Sequence, residues 1–348
     1  MNDFSNHIIN PNSSIQQALQ QLNDLSENLT LFVADENRTL SGTVTDGDIR
    51  RGFLAGKQLG DKIDSVMFRN PRFIQQSGFL PGAISQLRQD GIFVVPIVDD
   101  EKRIIRIINL KEKRSVLPLN AILMAGGKGL RLRPLTDNLP KPLLKVGNKP
   151  VIEHNIDRLN AYGIENIEIA VGYMAGKIEA YVGDGSSKGL NIKYIRENEP
   201  LGTIGAVKLS SMDHHSCILL MNADVLTDID FEDLYETFIK QDADMIVASI
   251  PYKLEVPYGV LEVEGELVTG LKEKPTYTYY SNAGIYIFKK ELLDLIPEKE
   301  SYDATDLMEK LLALKKRLAY YPILGYWLDI GKPDDFKKAQ EDIKHIKL

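Results

Sequence analysis

Cysteine, tryptophan and histidine are all scarce in this chain of 348 residues, with one, one and five copies respectively. A lone thiol, Cys217, closes no internal disulfide and lies in an apolar run. It is expected to be a packed core residue in a reducing compartment, the cytoplasm. No Ser/His/Asp arrangement is visible, and His214 and His215 stand side by side before a strand, where a loop is expected. Long apolar runs are missing too. No stretch of 18 exists to form a membrane span, and the polar N-terminus lacks the hydrophobic core of a secretory leader. Positive charge is in deficit, with 42 Lys and Arg against 49 Asp and Glu and a net charge of −7. The basic residues form no block, which argues against a nucleic-acid partner. Hexapeptide repeats are absent, so no left-handed β-helix is expected.

What is present is concentrated between Leu119 and Pro142. An apolar strand, Ala121 to Ala125, runs into Gly126, Gly127 and Gly129, followed by Arg131, Arg133 and Lys141. Glycines at the end of a buried strand let backbone N–H groups approach a ligand that a Cβ would hold off. Cations just downstream make that ligand an anion, phosphate above all. A P-loop is excluded because Leu130 and Arg131 follow Gly129, where Lys and Ser or Thr would be needed. A dinucleotide fingerprint is excluded by Leu132.

The remaining pattern, G-G-x-G-x-R-x-x-P-x-T closed by Pro140-Lys141-Pro142, resembles the signature loop of the sugar-1-phosphate nucleotidyltransferases (NDP-sugar pyrophosphorylases). Further segments fit in order along the chain. Glu197 precedes Glu199-Pro200-Leu201-Gly202-Thr203, Asp224 closes Asn222-Ala223-Asp224, and Gly259 follows Tyr258. Then come Glu273-Lys274-Pro275, Asn282 in Ser281-Asn282-Ala283-Gly284, and Asp329 in Trp327-Leu328-Asp329. The resemblance implies that Arg131 and Lys141 are catalytic and that Met124, Ala125, Gly126, Gly127, Gly129, Glu197, Gly202 and Thr203 bind nucleotide. It implies a sugar-phosphate pocket of Gly259, Glu273, Lys274 and Asn282, with Mg²⁺ on Asp224 and Asp329. A hard divalent cation on phosphates does prefer one or two carboxylates.

The base is read from Glu197, where thymidylyl- and uridylyl-transferring members of the resembled family commonly carry Gln. A carboxylate only accepts hydrogen bonds, and guanine offers two parallel donors, N1–H and N2–H. GTP is therefore the expected donor, with glucosamine-1-phosphate or mannose-1-phosphate as acceptor. Uridylyl, thymidylyl or cytidylyl transfer, a catalytically dead sensor, and a choline-phosphate-type transferase remain as alternatives.

The first third contains a repeat. Val33–Asp48 aligns without gaps on Ile97–Glu112, each preceded by a helix-period stretch such as Ile15, Ala18, Leu22 or Ile84, Leu87. Gly42-x-x-Thr45-x-x-Asp48 resembles the end of a cystathionine-β-synthase (CBS) motif, in which Thr holds a phosphate and Asp a ribose. The second copy has Arg106, Asn109 and Glu112 at those places. Regulation by a nucleotide at Thr45 and Asp48, and a pair kept for packing or self-association, both stay open. Domains are expected at residues 1–116, a CBS pair with repeats at about 10–60 and 70–115, and at residues 119–348. The fold expected is α/β, a mainly parallel Rossmann-like sheet with helices on both faces (the nucleotidyltransferase fold), preceded by the α+β CBS pair. A homo-oligomer is also expected.

Overall fold

The computed structural model describes residues 4–25, 29–76, 78, 82–211, 215–298 and 300–346; His214 lies outside them. Two compact units form, residues 1–118 with 161–163, and residues 119–160 with 164–348.

The first unit is built twice. Its first half holds β1 (Ile8–Ile9), α1 (Ile15–Asp24), β2 (Thr30–Ala34), β3 (Leu40–Thr45) and α2 (Asp46–Leu54). The second half holds β4 (Ile74–Gln75), α3 (Ala83–Gln89), β5 (Val94–Val98) and β6 (Ile104–Asn109). The three-stranded sheets β1-β2-β3 and β4-β5-β6 share one pattern, a parallel pair and then an antiparallel pair. Even the register slip is duplicated, at Val33/Ala34 in one copy and Ile97/Val98 in the other. A bulge is a built feature rather than a defect, so its recurrence supports the repeat independently of composition. Each half packs its helix on one sheet face, with Ile15, Ala18 and Leu22 against Leu31 and Val33, and Ile84 and Leu87 against Val95 and Ile97. A third cluster joins Phe32, Ala34 and Leu40 of one copy to Val94, Val98 and Ile107 of the other. Each half thus supplies the apolar face the other needs.

The second unit runs β7 (Asn120–Met124), a hairpin of β8 (Lys145–Val146) and β9 (Lys149–Pro150), α4 (Val151–Ala161), β10 (Asn166–Val171), α5 (Ala175–Val182), β11 (Asn191–Arg196), β12 (Cys217–Asn222), β13 (Val225–Thr227) and α6 (Phe231–Lys240). It continues with β14 (Met245–Glu255), β15 (Val260–Glu264), β16 (Leu267–Lys272), β17 (Thr276–Lys289), α7 (Ala304–Ala313), β18 (Leu318–Pro322), β19 (Trp327–Asp329) and α8 (Pro333–Asp342). The central sheet has the order β11-β10-β7-β12-β17-β14-β18, and within it β17 alone runs against the rest. The consecutive residues Ala121, Ile122 and Leu123 of β7 are all fully buried, so both sheet faces are covered. On one of them Ile122, Leu220 and Phe288 meet Leu307 and Leu311 of α7.

Chain order reverses between β7 and β12, which opens a crevice at their C-terminal ends. Pro150 pairs with Lys145 in the β8–β9 hairpin, and α4 starts one residue later. Strand β14 runs on to Glu255, because β17 pairs with it beyond the buried part of the sheet. Among the described residues no helix is long and apolar enough to cross a membrane.

Candidate active site

Backbone bonds stitch the crevice together at the strand ends. Ala125 N–H donates to the Ala170 carbonyl (2.8 Å), and Ala223 N–H donates to the Met124 carbonyl (3.0 Å). From Met124 the chain enters the glycine loop, where each glycine has its own reason. A Cβ on Gly126 would lie 2.6 Å from Glu197 Oε2. Gly129 has a φ of +61°, and its Cβ would sit 3.1 Å from Cβ of Lys141. The Thr136 hydroxyl donates to the Gly129 carbonyl at 2.8 Å and ties the loop back on itself. A Cβ on Gly127 would meet nothing within 4 Å. No internal packing asks for glycine there.

Lys141 starts a short 3₁₀ turn, Lys141–Leu143, held between Pro140 and Pro142, and its side chain is buried. Its ammonium donates to Oδ2 of Asp224 and lies 3.4 Å from Oδ1 of Asp329. Those carboxylates come from segments a hundred residues apart. Asp224 follows β12, Asp329 ends β19, and the antiparallel β13–β19 pair sets Val225 opposite Asp329. Ile330 N–H donating to the Asp224 carbonyl (3.1 Å) locks that alignment. Burial and then the charge of Asp224 push the Asp329 carboxyl above the usual carboxylate range, against the pull of Lys141 and Arg131. A Cβ on Gly331 would lie 3.2 Å from Asp329 Oδ2 and 3.7 Å from Arg131 Nη2, so Arg131 borders the same cluster.

Glu197 follows β11, and its N–H donates to the Val171 carbonyl at 2.9 Å. Its Oε1 is buried with no hydrogen-bond partner, and burial raises its carboxyl above the ordinary value. A buried acceptor left unpaired is costly, so this atom is well suited to a donor brought by a ligand.

Gly202 and Thr203 occupy the next loop. Gly202 has a φ of +79°, and a Cβ there would come 2.6 Å from the Tyr302 carbonyl. Thr203 N–H donates to Asp303 Oδ1 (2.8 Å), and the Thr203 hydroxyl accepts from Ala304 N–H (2.9 Å). Thr203 fastens the loop to the N-terminus of α7, and Gly202 lets the chain pass close to Tyr302.

At the exposed hairpin β15–β16, Glu273 Oε2 lies 3.2 Å from where a Cβ of Gly259 would be. Lys274 has a left-handed φ of +42°. Asn282 donates to the Tyr286 hydroxyl (2.8 Å) and accepts from Gly284 N–H (2.9 Å). In the first unit, Thr45 caps α2. Asp48 Oδ2 accepts from Thr45 N–H (2.8 Å) and its hydroxyl (2.6 Å), while Oδ1 pairs with Arg51 at 2.5 Å. Their polar atoms thus complete a capping box.

Two residues absent from the sequence reading support the Asp224 segment. Asn155 on α4 is 1% exposed, and its Nδ2 donates to the Ala223 carbonyl at 3.2 Å. One turn on, the buried Arg158 donates to the Ile229 carbonyl, with its guanidinium 5.7 Å from the Phe231 ring centre. Their signal was two polar side chains on the apolar stripe of a helix. Asp303, which clamps Thr203, gave no local signal.

Among the described residues no group of three or more His, Cys, Asp or Glu gathers to hold a metal. Asp224 and Asp329 are a pair, converging on one ammonium. Two carboxylates fit a cation of the Mg²⁺ type, which usually takes its other ligands from water and substrate phosphates.

A family model described as nucleotidyl transferase matches residues 120–346, and a CBS domain model matches residues 5–55. A D-glycero-α-D-manno-heptose 1-phosphate guanylyltransferase of Aneurinibacillus thermoaerophilus is 34% identical over 233 residues, covering 65% of this chain and 99% of that protein. A mannose-1-phosphate guanyltransferase of Yarrowia lipolytica is 34% identical over 232 residues, 63% of this chain and 62% of its own length. The crystal structure of HddC from Yersinia pseudotuberculosis complexed with GMP-PN superposes with a TM-score of 0.51 at 25% identity, over 65% of this chain and 99% of that one.

Proposed function

The chain belongs to the nucleotidyl transferase family, and we propose that it transfers a guanylyl group from GTP to a sugar-1-phosphate, giving a GDP-sugar and pyrophosphate. A hexosamine or hexose phosphate, such as glucosamine-1-phosphate or mannose-1-phosphate, is the acceptor. The observation that carries the reaction is Lys141 between Asp224 and Asp329, at the mouth of a glycine loop. Guanine is favoured by the unpaired Oε1 of Glu197, since N1–H and N2–H are the donors a buried carboxylate lacks. The curated relatives named above are themselves guanylyltransferases.

A phosphate oxygen of the sugar phosphate attacks the α-phosphorus of the triphosphate. The new P–O bond forms as the α–β bridge breaks, and pyrophosphate carries away the electron pair. No general base is needed, because a phosphate monoester has a second pKa of about 6 and is mostly dianionic at neutral pH. The difficulty is bringing two polyanions together, so positioning and charge carry the rate. Gly126, Gly127 and Gly129 offer backbone N–H groups to the triphosphate, Arg131 takes its outer phosphates, and Lys141 the reacting ones. Lys274 holds the sugar phosphate, and Glu273 and Asn282 hold sugar hydroxyls. Asp224 and Asp329 would hold Mg²⁺, which would supply Lewis-acid withdrawal of charge from the α-phosphate.

The test is pyrophosphate release over GTP, UTP, dTTP and CTP, each with glucosamine-1-phosphate, mannose-1-phosphate and glucose-1-phosphate. GTP should lead. Preference for UTP or dTTP would exclude the assignment to Glu197.

A further inference from the structure

The hairpin that carries Gly259 and Glu273 at its base has a second property. Its strands pair Leu261 with Leu271 and Val263 with Val268, and directly opposed residues point to the same side. A register slip between Glu262 and Val263 gives β16 one extra residue, Thr269, and so turns Val268 onto the side of Leu271. The outcome is a face of four aliphatic side chains that are 56, 65, 58 and 65% exposed at Leu261, Val263, Val268 and Leu271. Charge is sorted onto the other face, where Lys272 pairs with Glu262. A two-stranded hairpin is marginal in water, and this one leaves its apolar side bare.

We propose that this face is a self-association surface, covered by the same face of a second copy of the chain. Side chains of this size at this exposure leave an uncharged patch on the order of 500 Å², at the upper end of what monomers show. Apposed across a two-fold axis, two such patches approach the roughly 1,200–2,000 Å² of a specific interface once a polar rim is added. An uncharged aliphatic face offers no handle to an acidic or basic partner, whereas it is complementary to itself, which is what an isologous contact requires. The patch is continuous with Gly259, whose Cβ would lie 3.4 Å from Leu271 Cδ1 and 3.2 Å from Glu273 Oε2. Association would therefore steady the segment read above as the sugar pocket; that link rests on the proposed function, and the association does not.

Two measurements on the full chain test this. Val263→Lys with Val268→Glu keeps an attractive cross-strand pair in the hairpin while charging the face, and light scattering should show at least a halving of the wild-type mass. An equal mixture of ¹⁴N- and ¹⁵N-labelled wild-type chains is treated with an amine-reactive cross-linker, and mixed-isotope links among Lys253, Lys272 and Lys274 are expected. A monomeric wild type, or a mass unchanged by the double substitution, would overturn the proposal. So would same-isotope links alone from the hairpin to Lys57, Lys62 or Lys102, which would make the chain's own first unit the occupant.

Discussion

Glu197 and Lys141 show opposite ways of leaving a site ready for a ligand. The carboxyl of Glu197 is raised above its ordinary value of 4.5 by burial. Its folding contribution is therefore fully present below pH 4.5 and lost as pH rises through the raised value. Glu197→Gln should raise the melting temperature at pH 7, with the gain fading towards pH 4.5; melts across that range check it, and an unchanged or lower value at pH 7 refutes it. The same substitution should cut kcat/KM for GTP by about tenfold to a hundredfold, the worth of one buried hydrogen bond to a charged group, and raise the relative use of UTP and dTTP. Lys141, by contrast, already pairs with both carboxylates. A divalent cation arriving alone has to displace it, so wild type should bind Mn²⁺ weakly without nucleotide, and Lys141→Met at least tenfold more tightly by calorimetry. Equal affinities would mean that the ammonium does not guard the pair.

Among the elements, α4 does more than cover the sheet. Asn155 and Arg158 grip the carbonyls of Ala223 and Ile229, on either side of the turn and strand that follow Asp224. Asn155→Ala should cost about 1–3 kcal/mol of stability, because the Ala223 carbonyl loses its donor. It should also raise the Mg²⁺ concentration needed for half-maximal turnover, whereas a purely structural role would lower stability and leave the metal dependence alone. Strand and helix alternation was legible in the sequence because fully buried parallel strands read as short apolar runs between helix-period segments. The glycine loop stood out because its spacing is local. Long-range partners were not legible. Thr203 meets Asp303 across 100 residues, and nothing near Thr203 signals that its hydroxyl will serve a helix N-terminus. Pro150 is ambiguous in sequence for a different reason, since a proline suits the start of a helix and the edge of a hairpin equally.

Taken whole, the molecule is two units with separate cores. Calorimetry should resolve two unfolding transitions, and GTP with Mg²⁺ should shift the one belonging to residues 119–348. If a nucleotide binds at the CBS repeat, it should shift the other, and Asp48→Ala should abolish that shift. The same substitution removes half of the box capping α2, at about 1 kcal/mol, so its transition without ligand is the baseline. A single transition moved equally by all ligands would show that the units unfold together.

The strand order of the second unit also bears on how its preferences could be altered. Glu197 follows β11 at one edge of the sheet, whereas Glu273 and Lys274 lead into β17, four strands away. At about 4.8 Å per strand, β11 and β17 lie roughly 19 Å apart across the sheet, beyond the range in which substitutions ordinarily couple. Donor and acceptor preference should then be independent variables. A change at position 197 and a change at position 273 would multiply in their effects on kcat/KM, and libraries at the two could be screened separately and combined.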